Sequence, residues 1–168
     1  MNIVIRPYKP GDARTFAEIH YNAVHKLAKS HYPDHIIDDW SASIDDSRIK
    51  QIQDSADEEI RIVAEVDGRP AGIGCVIPEK SELRACYVHP DYARRGVGSQ
   101  IVAALEKIAL DSGAEELLLD ASLNAKNFYE KNGYASLGKI MHSSRQSGTL
   151  IECMRMKKTM KREREFKL

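Results

Sequence analysis

The sequence has no long apolar run, few cysteines and no net charge. No segment approaches the ~18 consecutive apolar residues that a membrane-spanning helix requires. The apolar run in the first residues, MNIVIRPYKPGD, is too short for the core of a secretion signal. These absences predict a cytoplasmic protein that does not act at a membrane.

The chain contains only three cysteines, and no two of them form a CxxC pair. Cys75, Cys86 and Cys153 are widely separated and lie in apolar, strand-like segments. The six histidines show no metal-ligand spacing with them. We therefore expect free thiols in a reducing compartment and no metal site.

Basic and acidic residues balance at 25 each, so no overall field attracts nucleic acid. The last twelve residues, KKTMKREREFKL, differ because they hold six basic and two acidic side chains. At 168 residues the chain suits one domain with a substantial core. The prediction is a single domain over 1–157 and a charged, solvated tail over 158–168.

The apolar pattern indicates a mixed α/β fold. After a Lys9-Pro10-Gly11-Asp12 turn, one face of a first helix is predicted to hold Phe16, Ile19, His20, Ala23 and Leu27. Further strands are expected at 3–7, 60–66, 71–77, 134–140 and 149–156, and shorter helices at 34–41, 45–55 and 124–132.

A strand, a helix and a buried strand follow one another at 82–89, 98–112 and 116–122. This is the order of a βαβ unit, so the two strands are predicted to be parallel. Between the first strand and the helix stands a basic glycine turn, ARRGVGS. It leaves the first backbone N–H groups of the helix without partners, at the positive end of its dipole, which favours binding of a polyanion such as a pyrophosphate.

Two segments together resemble a known family. SELRACYVHPDYARRGVGSQ, followed about thirty residues later by ELLLDAS and LNAKNFYEKNGY, is similar to the acetyl-coenzyme A binding core of the GCN5-related N-acetyltransferase (GNAT) superfamily. The resemblance implies a central mixed, mostly antiparallel sheet with a splayed parallel strand pair, flanked by helices. It also implies acetyl-CoA as cosubstrate, with the pantetheine arm entering between the splayed strands like an extra strand.

The family's pyrophosphate motif is Gln/Arg-x-x-Gly-x-Gly/Ala, and Ala93 occupies its first position here. This departure removes one side-chain contact and leaves the backbone donors in place. At the family's usual asparagine position the chain carries Ser122. By resemblance, the residues that bind the cosubstrate are Cys86, Tyr87, Val88, Arg94, Arg95, Gly96, Val97, Gly98, Ser99, Ser122 and Ala125.

Tyr129 is the candidate general acid, because a phenol can protonate the thiolate that leaves. Glu82, eight residues before Pro90, is the candidate general base, because the histone-acetylating members carry a glutamate there. His89 and His142 are alternative bases, since imidazole exchanges protons near neutral pH. Cys86 lies near the expected thioester, but no histidine is placed beside it to activate a nucleophilic thiol.

The acceptor wall in this family usually comes from the first helix and the segment after it. That region holds His31, Tyr32 and Trp40, our candidate substrate-binding residues. The sequence thus predicts direct transfer of acetyl from acetyl-CoA to a primary amine of a small molecule or peptide, in a ternary complex. The resemblance also implies a homodimer.

Two other functions remain open from the sequence. A module that binds or senses acyl-CoA without catalysis is favoured by Ala93 and Ser122. A nucleotide-triphosphate enzyme is disfavoured because the GxxxxGK(S/T) loop is absent.

Overall fold

The computed structural model describes residues 1–161 and shows a seven-stranded sheet with helices on both faces. The strands are β1 (Ile3–Pro7), β2 (Ile60–Val66), β3 (Arg69–Ile77), β4 (Glu82–Val88), β5 (Glu116–Ser122), β6 (Ala135–Ser143) and β7 (Leu150–Thr159). The helices are α1 (Ala13–Ala23), α2 (Asp34–Trp40), α3 (Asp46–Asp54), α4 (Val97–Asp111) and α5 (Lys126–Lys131).

The strand order is β1-β2-β3-β4-β5-β7-β6. All neighbours are antiparallel except β4 and β5, which are parallel and are connected through α4. The predicted fold class is therefore confirmed. The β2–β3 hairpin turns at Asp67 and Gly68, whose φ angles of 49° and 77° suit a tight two-residue connection.

Helix α1 covers the sheet through most of the predicted face, and the difference lies at its end. Its buried residues include Ala17, Ile19 and Ala23, whereas Leu27 is exposed. The helix continues as a π-helical stretch, Val24–Ala28, in which each turn holds an extra residue. The wider turn changes the inward face, so Val24 and Ala28 are buried where a regular helix would bury Leu27.

Helix α4 packs on the opposite face, directly over two glycines of β3. A Cβ atom at Gly72 would lie 2.6 Å from Ile101 Cδ1, and one at Gly74 would lie 2.6 Å from Ile101 Cγ2. The missing side chains let the helix approach the sheet closely. Ile101, Val102 and Leu105 are fully buried there, and Gly113 follows the helix with a φ of 93°.

The last strand extends further than the sequence suggests. β7 continues through Thr159, and Lys158 pairs with Leu117 of β5. The Lys158 ammonium also contacts both Glu106 carboxylate oxygens, at 2.8 and 2.9 Å, and the Asn132 carbonyl at 2.9 Å. The first residues of the predicted tail thus belong to the sheet, because these partners hold them. Residues 162–168 lie outside the described residues.

Within residues 1–161, no helix has the length and apolar composition needed to cross a membrane. That part of the chain also contains no group of three or more His, Cys, Asp or Glu side chains suited to holding a metal ion.

Candidate active site

Strands β4 and β5 lie side by side at one residue pair only. Glu82 pairs with Leu118, and the Leu118 amide donates to the Ser81 carbonyl at 2.8 Å. Beyond this pair the strands separate, and the gap opens toward Val88 and Ser122. Backbone groups of β4 that face the gap have no strand partner there, so they are free to bond an extended ligand.

A β-bulge in β4 sets which side chains flank the gap. Cys75 of β3 pairs with Ala85, and the next residue of β3 pairs with Leu83, which leaves Arg84 as the extra residue. Cys86 then packs into the core under α4, while the Tyr87 ring contacts His20 of α1 at 4.5 Å between centroids. Cys86 and Tyr87 also line the cavity beside the gap.

The N-terminus of α4 is open, as the glycine turn predicts. Gly96 caps the helix with a φ of 81° and offers no side chain to the first amides. Among the described residues, the amides of Val97, Gly98 and Ser99 have no hydrogen-bond acceptor. Arg94 and Arg95 are exposed beside them. The Val97 side chain is buried in the core, so only its amide can serve an anion.

Gly98 lies where a side chain would meet α5. A Cβ atom here would lie 3.0 Å from Cζ and 3.1 Å from Cε2 of Phe128. The Phe128 ring is half-buried and lies against the first turn of α4. Gly98 therefore lets α5 pack close to α4, and this contact places the residue that follows Phe128.

Tyr129 is buried and lines a large cavity between helices α1–α3 and the sheet. Its ring packs edge-on against Phe128 and Tyr134. Burial, with nearby Cys86, Tyr87 and Tyr134, raises the pKa of Tyr129 well above 10. The phenol therefore keeps its proton at neutral pH, as a general acid requires.

Ser122 and Ala125 line the same cavity as Tyr129. The cavity has a volume of about 1370 Å³. Its walls come from α1, α3, β4, β5 and the loop between β6 and β7. It is large enough to hold a small acceptor next to the end of a donor in the gap.

Cys86 is close to the gap, but its environment disfavours nucleophilic catalysis. Burial raises the pKa of the thiol to about 12, so the thiolate is scarce at neutral pH. The sulfur lies 3.8 Å from the Gly98 carbonyl oxygen, to which it can donate. No basic side chain accepts its proton among the described residues.

Glu82 lines the cavity as an ion pair. Its carboxylate bonds Arg84 Nε at 3.0 Å, and the side chain is one-third exposed. Arg84 also reaches Glu59, a buried carboxylate that Arg61 contacts at 2.7 Å. Arg84 thus forms an ion pair with Glu82, the predicted base, at the end of the gap where β4 and β5 pair.

His142 of β6 lines the cavity with a carboxylate partner. Its Nδ1 lies 3.3 Å from Asp120 Oδ2, and Arg155 forms two hydrogen bonds to the same carboxylate at 2.9 and 3.1 Å. Burial raises the pKa of Asp120, but hydrogen bonds from Arg155 and His142 lower it more, so the group is an anion at neutral pH. In contrast, His89 Nδ1 accepts from the Asp91 amide and does not line the cavity.

Of the three predicted acceptor residues, only Trp40 lines the cavity. The buried Tyr32 hydroxyl donates to the Glu152 carbonyl at 2.6 Å and accepts from the Leu123 amide at 2.8 Å. It ties the segment after α1 to β7 and to the end of β5. His31 is exposed and its Nδ1 contacts the Ser30 hydroxyl.

Sequence reasoning assigned no site role to His20, Arg48 or Glu59, which are among the residues that line the cavity. Arg48 lies four residues before Ile52, so both face the same side of α3, and this spacing was an available signal. His20 was placed correctly on the inner face of α1 but was not assigned a site role. Glu59 has Arg61 two residues away, but its other arginine partners, Arg84 and Arg145, come from distant parts of the chain.

A sequence profile described as "Acetyltransferase (GNAT) family" matches residues 16–134. The chain is 35% identical over 136 residues to the uncharacterized N-acetyltransferase YafP of Escherichia coli (strain K12), covering 81% of this chain and 83% of that protein.

Solved structures agree with these sequence matches. A GCN5-related N-acetyltransferase from Rhodopseudomonas palustris is 30% identical and superposes with a TM-score of 0.86, covering 95% of this chain and 97% of its own. YncA from Salmonella typhimurium, described as a putative acetyltransferase with its cofactor acetyl-CoA, is 18% identical with a TM-score of 0.68 and covers 97% and 96%. The second likeness shows a shared fold.

Proposed function

Because the chain belongs to the acetyltransferase (GNAT) family, we propose that it transfers the acetyl group of acetyl-CoA to a primary amine of a small molecule or peptide. Transfer is direct, within a complex that holds both substrates. The observation that carries this proposal is the gap between β4 and β5, which leads from the bare amides of α4 to Tyr129 and the acceptor cavity.

The residues around the gap fit acetyl-CoA, which supplies the acetyl thioester. The amides of Val97, Gly98 and Ser99 donate to the diphosphate, and the exposed Arg94 and Arg95 add positive charge. Backbone groups of Cys86, Tyr87 and Val88 bond the extended arm, and an amide near the acetyl carbonyl stabilises its developing negative charge. Ser122 and Ala125 line the other side.

Tyr129 protonates the thiolate of the leaving coenzyme A. Its raised pKa keeps the phenol protonated at neutral pH. Donation of this proton neutralises the coenzyme A thiolate as it leaves, which favours departure of the thiol. Its ring is fixed between Phe128 and Tyr134, so the hydroxyl is held in one place before the donor binds.

We assign the general base to His142, supported by Asp120. The Asp120 anion accepts from Nδ1–H, which leaves the lone pair on Nε2 to remove a proton from the amine. Glu82 was the base expected from the sequence, but its carboxylate is held by Arg84. The absence of a thiolate at Cys86 favours direct attack over an acetyl-cysteine route.

Coenzyme A thiol release from acetyl-CoA, measured over a panel of amines, tests the proposal. Tyr129→Phe should lower turnover by more than tenfold, while calorimetry finds acetyl-CoA affinity little changed. Because the pKa of Tyr129 is raised, its acid form persists as pH increases. Wild-type turnover at saturating amine should therefore show no alkaline loss between about pH 8 and pH 10.

A matched pair identifies the base. His142→Gln should lower turnover by at least about a hundredfold near neutral pH, and Glu82→Gln by less than about tenfold. A larger loss of turnover in Glu82→Gln than in His142→Gln would identify Glu82 as the general base. Saturable acetyl-CoA binding with no thiol release on any amine would instead assign the chain as a non-catalytic acyl-CoA-binding module.

A further inference from the structure

Arg48 is a buried cation in the cavity wall without an anionic partner. Only 7% of the residue is exposed. Its Nη1 donates to the Ala42 carbonyl at 2.5 Å, and its Nη2 contacts His20 Nδ1 at 2.9 Å and Ser41 Oγ at 3.4 Å. The Nε–H has no hydrogen-bond partner within residues 1–161. Every partner the guanidinium has is neutral.

The other arginines of the cavity wall show how unusual this is. Arg61 is buried to the same extent and pairs with Glu59 at 2.7 Å. Arg84 and Arg145 reach Glu59 or Glu82, and Arg155 pairs with Asp120. In the part of the chain that the structure describes, Arg48 alone of these five lies more than 4.0 Å from any carboxylate. A guanidinium cannot lose its proton in a protein, so Arg48 keeps its charge. Asp45, whose carboxylate accepts from the Arg48 backbone amide at 2.8 Å, acts on that charge only from a distance.

His20 supplies no charge to balance Arg48, and its proton position follows from their contact. Burial, and then the charge of Arg48, lower the pKa of His20 to about 3. A guanidinium only donates, so His20 Nδ1 must accept and the proton must lie on Nε2. The pair therefore presents a fixed cation beside a neutral N–H donor.

The cavity as a whole is more basic than the chain. Its lining contains seven Lys or Arg and five Asp or Glu side chains, whereas the full sequence has 25 of each. On α3 the lining includes Arg48, Lys50 and Asp54, and Lys50 pairs with Asp54 at 2.7 Å, so within the described residues Arg48 is the cation of this wall that lacks a carboxylate partner. An acceptor that carried only a cationic amine would meet repulsion there.

From this geometry we propose that the acceptor is a small amine that also carries an oxyanion, a carboxylate or a phosphate, and that Arg48 binds this group. The inference rests on the proposed function, which supplies the amine and the acetyl donor. The oxyanion compensates the buried guanidinium and orients the amine toward the β4–β5 gap. The site thereby discriminates against amines of the same size that lack the anion.

A binding test that needs no turnover uses inorganic phosphate. With coenzyme A at saturation to occupy the α4 amides, phosphate should raise the melting temperature of the wild type by about 2–4 °C, saturably and beyond a chloride control. Arg145→Gln removes the same charge from the same cavity and should keep this response. Arg48→Gln should lose it. A wild type without a saturable response overturns the subsite.

Arg48 also holds Ala42 and His20, so Arg48→Gln could fail to fold. The wild type then provides the answer by NMR. Arg48→Lys retains the positive charge but has no Nε–H of arginine. The arginine Nε–H resonance that is present in the wild-type spectrum and missing from that of Arg48→Lys is therefore assigned to Arg48. Phosphate should shift that resonance in the wild type, because the Nε–H gains an acceptor. A resonance that does not move during the titration contradicts the proposal.

Thiol release from acetyl-CoA on three matched amines distinguishes the two oxyanions. Propylamine, 3-aminopropanoate and 2-aminoethyl phosphate share a short primary amine and differ in the terminal group. At least one anionic amine should exceed propylamine by tenfold or more in kcat/KM, and Arg48→Gln should remove this advantage mainly through KM. Preference for propylamine, or an equal loss on all three amines, overturns the proposal.

The outcomes separate this inference from the proposed function. Turnover on amines that lack an oxyanion, together with no phosphate response, rejects the subsite and leaves the acetyltransferase assignment intact. An Arg48-dependent phosphate response without turnover on any amine supports the subsite and rejects the enzymatic function.

Discussion

At the scale of single residues, the clearest contrast is between Cys86, which lies near the gap, and Tyr129, the proposed general acid. Both are buried and both have a raised pKa. A raised pKa keeps the proton on each group. That state suits an acid and disables a nucleophile, so one shift has opposite consequences for the two residues.

Cys86→Ala should therefore retain turnover within about threefold of the wild type, whereas Tyr129→Phe loses more than tenfold. Steady-state thiol release measures both variants side by side. Intact-protein mass spectrometry after mixing with acetyl-CoA alone should find no acetylated chain. A trapped acetyl-cysteine that disappears in Cys86→Ala would show that transfer is not direct.

Local signals in the sequence group some of the cavity residues. Ser122, Ala125 and Tyr129 are spaced three and four residues apart and line one cavity. Tyr32, predicted as an acceptor contact, does not line that cavity, because its hydroxyl holds two backbone groups. An aromatic residue between helices has the same sequence pattern in both situations. The contacts of Glu59 with Arg84 and Arg145 depend on the fold and have no counterpart in the local sequence.

At the scale of elements, the position of α4 depends on the glycines beneath it. A methyl group at Gly74 would lie 2.6 Å from Ile101 Cγ2 and 3.0 Å from Leu105 Cδ1, both fully buried. The helix must move outward or the side chains must leave their rotamers. Either change displaces the amides that begin α4.

Gly74→Ala is thus expected to lower the free energy of unfolding by about 1–3 kcal/mol and to weaken acetyl-CoA binding. Urea denaturation and calorimetry measure the two effects. Gly11→Ala is the control, because no atom lies within 4 Å of a Cβ atom there, and it should change stability by less than about 0.5 kcal/mol. Equal midpoints for the two variants would contradict the close packing.

The order and type of the elements could be predicted from the sequence, including the parallel β4–β5 pair. The register could not. Apolar runs do not reveal that β4 and β5 meet at Glu82 and Leu118 alone, nor that Arg84 is a bulge. The π-helical end of α1 was also hidden, because its residues suit a regular helix equally well.

At the scale of the whole molecule, Lys158 connects three elements that are distant in sequence. Its ammonium joins β7 to Glu106 of α4 and to the carbonyl of Asn132 at the end of α5. Removing it leaves a mostly buried carboxylate without its cation.

Lys158→Ala should reduce the free energy of unfolding by about 1–3 kcal/mol. Lys161→Ala removes the same charge three residues later, from an exposed position beyond the strand, and should have almost no effect. Thermal or urea denaturation compares the two. Equal unfolding midpoints for the two variants would mean that the contacts of Lys158 contribute no more to stability than the exposed Lys161 does.

The sheet consists of two blocks of strands, β1–β4 and the group β5, β7 and β6, which in the described residues share backbone pairing only at Glu82 and Leu118. A donor bonded along both walls would fasten the blocks together. We expect acetyl-CoA to slow amide hydrogen exchange in strands that it does not contact, such as β2 and β7, because the two blocks could then separate only after the ligand is released. If acetyl-CoA slowed exchange only at residues 85–88, the bound ligand would not hold the two blocks together, and this prediction would be wrong.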